Sequence, residues 1–266
     1  MFSSLPDGLP PGRCLPEVIR GDAPSWRVWL SEEPVSDPVG SWTHFQSARE
    51  ESGLWPVLAS TLYGPGRPTA LAAVDALDLH DVLERDWRSY RALQLRQLAA
   101  PQEPQDLPEG VEPWDEDPGA PFDRWPGLAA GIPSLAGADS DAAARTAIAR
   151  LMAGPYRLPK PHLALVPATR PADIPAVMGW QAEAPLPLLC ALLRSWEDRF
   201  GAQVVAFDGA TMHVSVARPP RDADHATHLA LEHVLTGADN INDGTVPYSD
   251  YAASLVNSPL WSFWWD

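Results

Sequence analysis

The sequence predicts an α+β fold whose C-terminal part is a mixed sheet with packed helices, and three observations carry that prediction. Short apolar runs at residues 162–167 and 203–207 have the length and bounding turns of buried strands. Leu189, Leu192, Leu193, Trp196 and Phe200 recur at helical spacing, and Gly201 ends that helix. Asp208-Gly209 is a hairpin signal, followed by Met212, Val214 and Val216 alternating with Thr211, His213 and Ser215. With helices at 222–236 and 247–256 and a last strand at 261–265, the expected order is β-α-β-β-α-α-β.

This C-terminal domain is expected over residues 159–266, after a Pro-rich, partly helical α+β region at 1–100. Residues 1–25, rich in Pro and Gly, read as an extended arm. Residues 26–30 and 53–59 are strand candidates, the second demoted to an edge or a bulge by Pro56. Residues 75–98 repeat apolar positions at helical spacing among charges. Residues 101–127 form an acidic Pro-rich linker in which no basic residue precedes Arg124, so repulsion and fixed φ angles keep it extended. A helical connector, 128–158, contains a helix at 141–152 stopped by Gly154-Pro155. Thirty prolines imply short elements and long connections, and twelve tryptophans supply the area to staple them into a core.

A net charge of −16 argues against general nucleic-acid binding, which needs Lys and Arg to neutralise phosphate, and against adsorption to anionic membranes. A basic protein partner is compatible with it, as is plain solubility. No signal peptide is visible at Met1-Phe2-Ser3-Ser4, and Cys14 and Cys190 read as free thiols in a reducing compartment. The cytoplasm is therefore the expected location.

Five segments resemble the bacterial family known as domain of unknown function 4253. They are Leu163-Ala164-Leu165-Val166-Pro167-Ala168, Gly179-Trp180, the helix motif Leu193-Arg194-Ser195-Trp196-Glu197-Asp198-Arg199-Phe200-Gly201, Glu232-His233 with Asp239-Asn240-Ile241, and Trp261-Ser262-Phe263-Trp264-Trp265-Asp266. The helix motif and the aromatic tail are the specific ones. The resemblance supports a boundary near residue 159 and assigns no activity. This chain departs from the family pattern at Thr236, Gly237 and Ala238, where an aromatic, a cysteine and a proline are usual, and at Ala182, where glycine is usual.

The chemistry-bearing clusters each have a bland alternative. His225, His228 and Glu232 share one face of a helix and are weak metal-ligand candidates; a solvated polar face is the simpler account, so no metal and no cofactor is expected. His233 is a candidate either to orient a loop by hydrogen-bonding Asp239 or Asn240 or to act as an acid/base group, with His213 facing the same region; the alternative is a buried histidine satisfied by a backbone carbonyl. Ser215, His233 and Asp239 spell a possible triad without a Gly-x-Ser-x-Gly elbow. The run from Asp239 to Gly244 lacks the closing glutamate of a calcium loop and reads as an Asx-rich turn. Trp114, Trp125, Trp180, Trp261 and Trp264 are the candidate binding aromatics. With strong negative charge and no complete catalytic set, the leading expectation is a non-enzymatic protein-binding chain of immunity or adaptor type. The rival is an enzyme with a pocket around His233, Asp239 and Asn240.

Overall fold

The computed structural model describes residues 5–16, 26–60, 69–100, 117–133, 139–154, 157–180 and 182–266. Strand β1 (Gly12–Pro16) turns back on β2 (Trp26–Ser31), and α1 (Pro38–Ser47) and the single turn α2 (Arg49–Ser52) lead into β3 (Trp55–Ala59). Helices α3 (Leu71–Asp75), α4 (Leu79–Ala99) and α5 (Ser140–Ala153) precede β4 (His162–Val166). Then come α6 (Ile174–Met178), α7 (Leu186–Phe200), the hairpin β5 (Ala202–Asp208) and β6 (Thr211–Val216), α8 (Ala223–Val234), α9 (Asp239–Asn242), α10 (Tyr248–Leu255) and β7 (Leu260–Trp264). The chain is α+β with a mixed sheet, in the expected order, with the one-turn helices α6 and α9 added.

All seven strands join one sheet in the order β1-β2-β4-β3-β5-β6-β7, in which β3 and β5 are parallel and every other pair antiparallel. Strands from before and after residue 159 therefore lie side by side. Residues 12–16, read as part of an arm, form the edge strand β1. The expectation that Pro56 makes its strand an edge or a bulge is corrected, because β3 lies between β4 and β5 and its register with β4 is unbroken. Proline is tolerated because β5 reaches only Leu58 and Ala59. On that open flank the Pro56 carbonyl accepts from Trp42 Nε1 at 2.9 Å.

Alternation along the strands sorts side chains onto two faces. Val57, Ala164, Val204, Met212, Val214, Trp261 and Phe263 face a core shared with Leu189, Leu192, Trp196 and Phe200 of α7 and with Leu229 and Ala230 of α8. Leu58, Val205 and Ala206 face the other way, against Trp42 of α1 and Ala144, Ile148 and Leu151 of α5. Trp29, Leu163 and Leu165 pack with Phe45 on that same side. Asp141 ties this layer together by accepting from Gln46 Nε2 at 2.8 Å and Gln203 Nε2 at 3.2 Å and by pairing with Arg49.

Helices thus lie against both faces, and the side of β6 read as polar is largely buried, with Ser215 enclosed and His213 6% exposed. Helix α7 stops at Gly201, whose φ of 64° closes the last turn in the left-handed region that glycine adopts without strain. Trp196 stacks on Phe263 at 5.5 Å and meets Trp261 edge-on at 5.6 Å, so the aromatic tail closes the core.

Candidate functional site

Helix α5 ends at Ala153, before it has covered the whole of the β6–β7 face. What remains uncovered is a cleft of about 900 Å³. Its floor is the outward-facing row Thr211, His213, Leu260, Ser262 and Trp264. One wall is the end of α5 together with residues 157–159, and includes Arg150, Leu151, Arg157 and Pro159. Asp208 and Asn240 stand at the margins.

His213 and Ser262 are cross-strand partners in the antiparallel register, so their side chains meet: His213 Nδ1 lies 2.8 Å from Ser262 Oγ. Burial pushes the His213 pKa down to about 4, against a smaller opposing pull from Asp208, so the ring is neutral near pH 7. Asp208 itself accepts a hydrogen bond from Ser60 Oγ.

His233 is not in this cleft. It is fully enclosed, with Trp196, Trp261 and Phe263 edge-on to its ring at 4.8, 4.6 and 5.0 Å. Its Nδ1 lies 2.8 Å from Tyr251 Oη, while Nε2 is buried without a partner among the described residues. Burial, aided by the charge of Arg199, pushes its pKa down to about 3. The expected contact with Asp239 or Asn240 is corrected, and so is a backbone carbonyl as its partner. Both α9 side chains instead hold β7: Asp239 Oδ2 accepts from Asp266 N at 2.7 Å. Asn240 accepts from Trp264 N at 2.8 Å and donates to Ser262 O at 3.1 Å, copying the pairing of a further strand.

Ser215, His233 and Asp239 accordingly make no triad. Ser215 Oγ donates to Gln203 O, and its supposed partners are engaged as above.

The solvated reading of the α8 face is also corrected: His225, His228 and Glu232 do share a face, and they hold the backbone of residues 127–130 rather than water. His228 Nε2 donates to Gly127 O at 3.0 Å and His225 Nε2 to Ala130 O at 2.8 Å. Glu232 accepts from Ala129 N at 2.7 Å, from Trp196 Nε1 at 2.8 Å and from both terminal nitrogens of Arg199. Residues 117–133 are thereby strapped to the domain, with Tyr90 Oη accepting from Ala120 N at 3.2 Å and Asp117 Oδ2 from Tyr248 N at 2.8 Å. The described end of the acidic linker is therefore packed, because its backbone has partners on α4 and α8.

Among the candidate aromatics, Trp180 and Trp261 are core residues, and Trp180 Nε1 donates to Gly209 O at 2.9 Å across the β5–β6 turn. Trp125 is half-buried under α4, and Trp114 lies outside the described residues. Trp264 is 37% exposed. Ser262, Arg150, Arg157 and Asp208 were not singled out from the sequence. The alternation of β7 would have put Ser262 and Trp264 on one face, but nothing local to Arg150 or Arg157 marks them.

A mixed α+β protein with a cleft at one end of its sheet is what fold and site define. Residues 162–266 match the family model described as domain of unknown function (DUF4253), as the five segments lead one to expect. No curated protein and no solved structure matches the chain. Among the described residues no helix is long and apolar enough to cross a membrane, and no group of three or more His, Cys, Asp and Glu is placed to hold a metal ion.

Proposed function

We propose that this chain is a non-enzymatic binding protein of immunity or adaptor type, acting in the cytoplasm, and that its partner-binding face centres on Trp264. The observation that carries this reading is the exposure of Trp264 at 37%, with carboxylates on its α9 side. Asn240 fixes its backbone, Asp239 and Asp266 are bonded to each other beside it, and Asp243 caps the same short helix. A large aromatic held rigidly among carboxylates suits a basic protein surface, because the ring supplies desolvated contact area and the carboxylates supply complementarity and steering. The overall charge of −16 acts in the same direction.

Capture from native lysate at low and moderate salt, with the unmodified chain and with Trp264→Ala in parallel, tests the reading. A protein retained by the first and lost from the second supports it. Absence of any Trp264-dependent partner at either salt overturns it.

The contact between His213 Nδ1 and Ser262 Oγ in an open cleft favours a second reading, hydrolysis with Ser262 as nucleophile and His213 as base. The enzyme alternative thereby moves from His233, which is sealed in aromatic side chains, to His213. Labelling of Ser262 by a fluorophosphonate, abolished in His213→Ala, is the outcome expected on that reading alone.

A further inference from the structure

We propose that the cleft at the end of α5 binds a small organic anion, a carboxylate or phosphate carried on a flat apolar body. This goes beyond the partner face on Trp264, since the ligand sits within the cleft and its charge is opposite to that of a basic partner.

The chain has 19 Lys and Arg against 35 Asp and Glu, yet Arg150 and Arg157 fall on the same wall of this one cleft. Elsewhere the half-buried arginines have fixed partners: Arg49 pairs with Asp141, Arg170 with Glu197, Arg194 with Asp173 and Arg199 with Glu232, and Arg218 donates to the carbonyls of Ile132 and Asp198. Arg150 and Arg157, both exposed at the cleft, make no ion pair among the described residues and so keep their donors available to a ligand. A guanidinium offers forked donors that match the two oxygens of a carboxylate or the face of a phosphate, and two on one wall bracket such a group.

The cleft holds one carboxylate, Asp208, whose Oδ1 is already engaged by Ser60 Oγ. Within the lining two guanidinium groups therefore stand against one carboxylate, while Asp239, Asp243 and Asp266 lie outside it, beyond Asn240. Neutral His213 and the hydroxyls of Thr211 and Ser262 add polar partners on the floor without adding charge. Beside Asn240 and Ser258 the rest of the lining is apolar and includes Leu151, Leu260 and the ring of Trp264, a flat wall against which a planar body stacks. A volume of about 900 Å³ falls in the range of sites for small organic molecules.

Two naphthalene probes of the same shape separate charge recognition from simple apolar adsorption. The first, 8-anilinonaphthalene-1-sulfonate, carries an anion; the second, N-phenyl-1-naphthylamine, does not. Both are titrated into the full chain and into Arg150→Gln/Arg157→Gln, followed by fluorescence. The expected result is one saturable sulfonate site, weakened at least tenfold in the double variant, while affinity for the uncharged probe stays within about twofold. In the unmodified chain benzoate and phenyl phosphate are then tried as competitors, and the stronger of them identifies the head group. Arg157 lies in exposed coil, so Arg157→Gln alone, expected to weaken the sulfonate at least threefold, keeps the test decisive should the double variant misfold. The proposal is overturned by the absence of a saturable sulfonate site, by equal effects on the two probes, or by failure of both competitors.

Discussion

Arg199 and Glu232 face each other as a forked ion pair beneath the strap, with Nη1 2.9 Å from Oε1 and the carboxylate wholly removed from solvent. The same carboxylate also holds Trp196 Nε1 and Ala129 N, so one side chain joins α7, α8 and residues 127–130.

Replacing Glu232 by Ala leaves the guanidinium, an indole N–H and a backbone N–H without their acceptor inside the fold. A loss of about 3–5 kcal/mol is expected in urea denaturation. Glu232→Gln, which keeps an acceptor but loses the charge, is expected to fall between Ala and the native residue. Proteolysis between 117 and 133 is expected to rise in step with the loss, since these residues are held by the same group.

Acid weakens the protein through two histidines. The folded-state pKa values of His233 and His213, about 3 and about 4, lie below the ordinary value of 6.5. The unfolded chain therefore binds protons that the folded one refuses, and stability falls as pH drops from about 6.5 toward 4. Each histidine contributes a slope of about 1.4 kcal/mol per pH unit well inside that window. Urea midpoints at pH 7 and pH 5 measure the effect, and His213→Asn is expected to reduce the slope by about half. An unchanged midpoint between these pH values contradicts the buried neutral state.

Two tryptophans of the same class by sequence are expected to behave oppositely. Trp264→Ala removes exposed area and is expected to change stability by no more than about 0.5 kcal/mol while abolishing partner capture. Trp180→Ala opens a hole between Phe207 and Trp265 and is expected to cost about 3–5 kcal/mol. Thermal denaturation of the two variants side by side is sufficient to compare them.

Asn240→Ala strips the outer edge of β7 of its side-chain partner. Faster amide exchange at Trp264, a stability loss of about 1–2 kcal/mol and a greater tendency to self-associate are expected. Exchange measured residue by residue separates this from a global loss, which would accelerate the core strands equally.

Local periodicity made much of the C-terminal part legible. The spacing of Leu189 through Phe200, the Asp208-Gly209 turn and the alternation of β6 each reflect neighbours along the chain. The position of β3 was not legible, because Pro56 argues locally for an edge and its tolerance depends on Trp42, fourteen residues away, and on the short reach of β5. The α8 face misled for a similar reason. His225, His228 and Glu232 look the same whether they meet water, a metal or a returning backbone, and only the strap distinguishes these. Alternation places His213 on one face with Thr211 and Ser215 but does not show that it is buried there, and its partner Ser262 arrives from 49 residues on.

The insertion of β3 has a kinetic consequence. Strands β4 and β5 belong to the segment 162–266, yet each pairs across the gap with a strand made more than a hundred residues earlier. Sheet closure must therefore wait for a wide loop of chain to be brought together, which slows folding relative to chains built from sequential hairpins. While β3 is absent, the flanks of β4 and β5 offer unpaired backbone to any extended segment nearby. Refolding is expected to be slow and concentration-sensitive, and a short peptide spanning residues 53–60, supplied in excess, is expected to interfere with it.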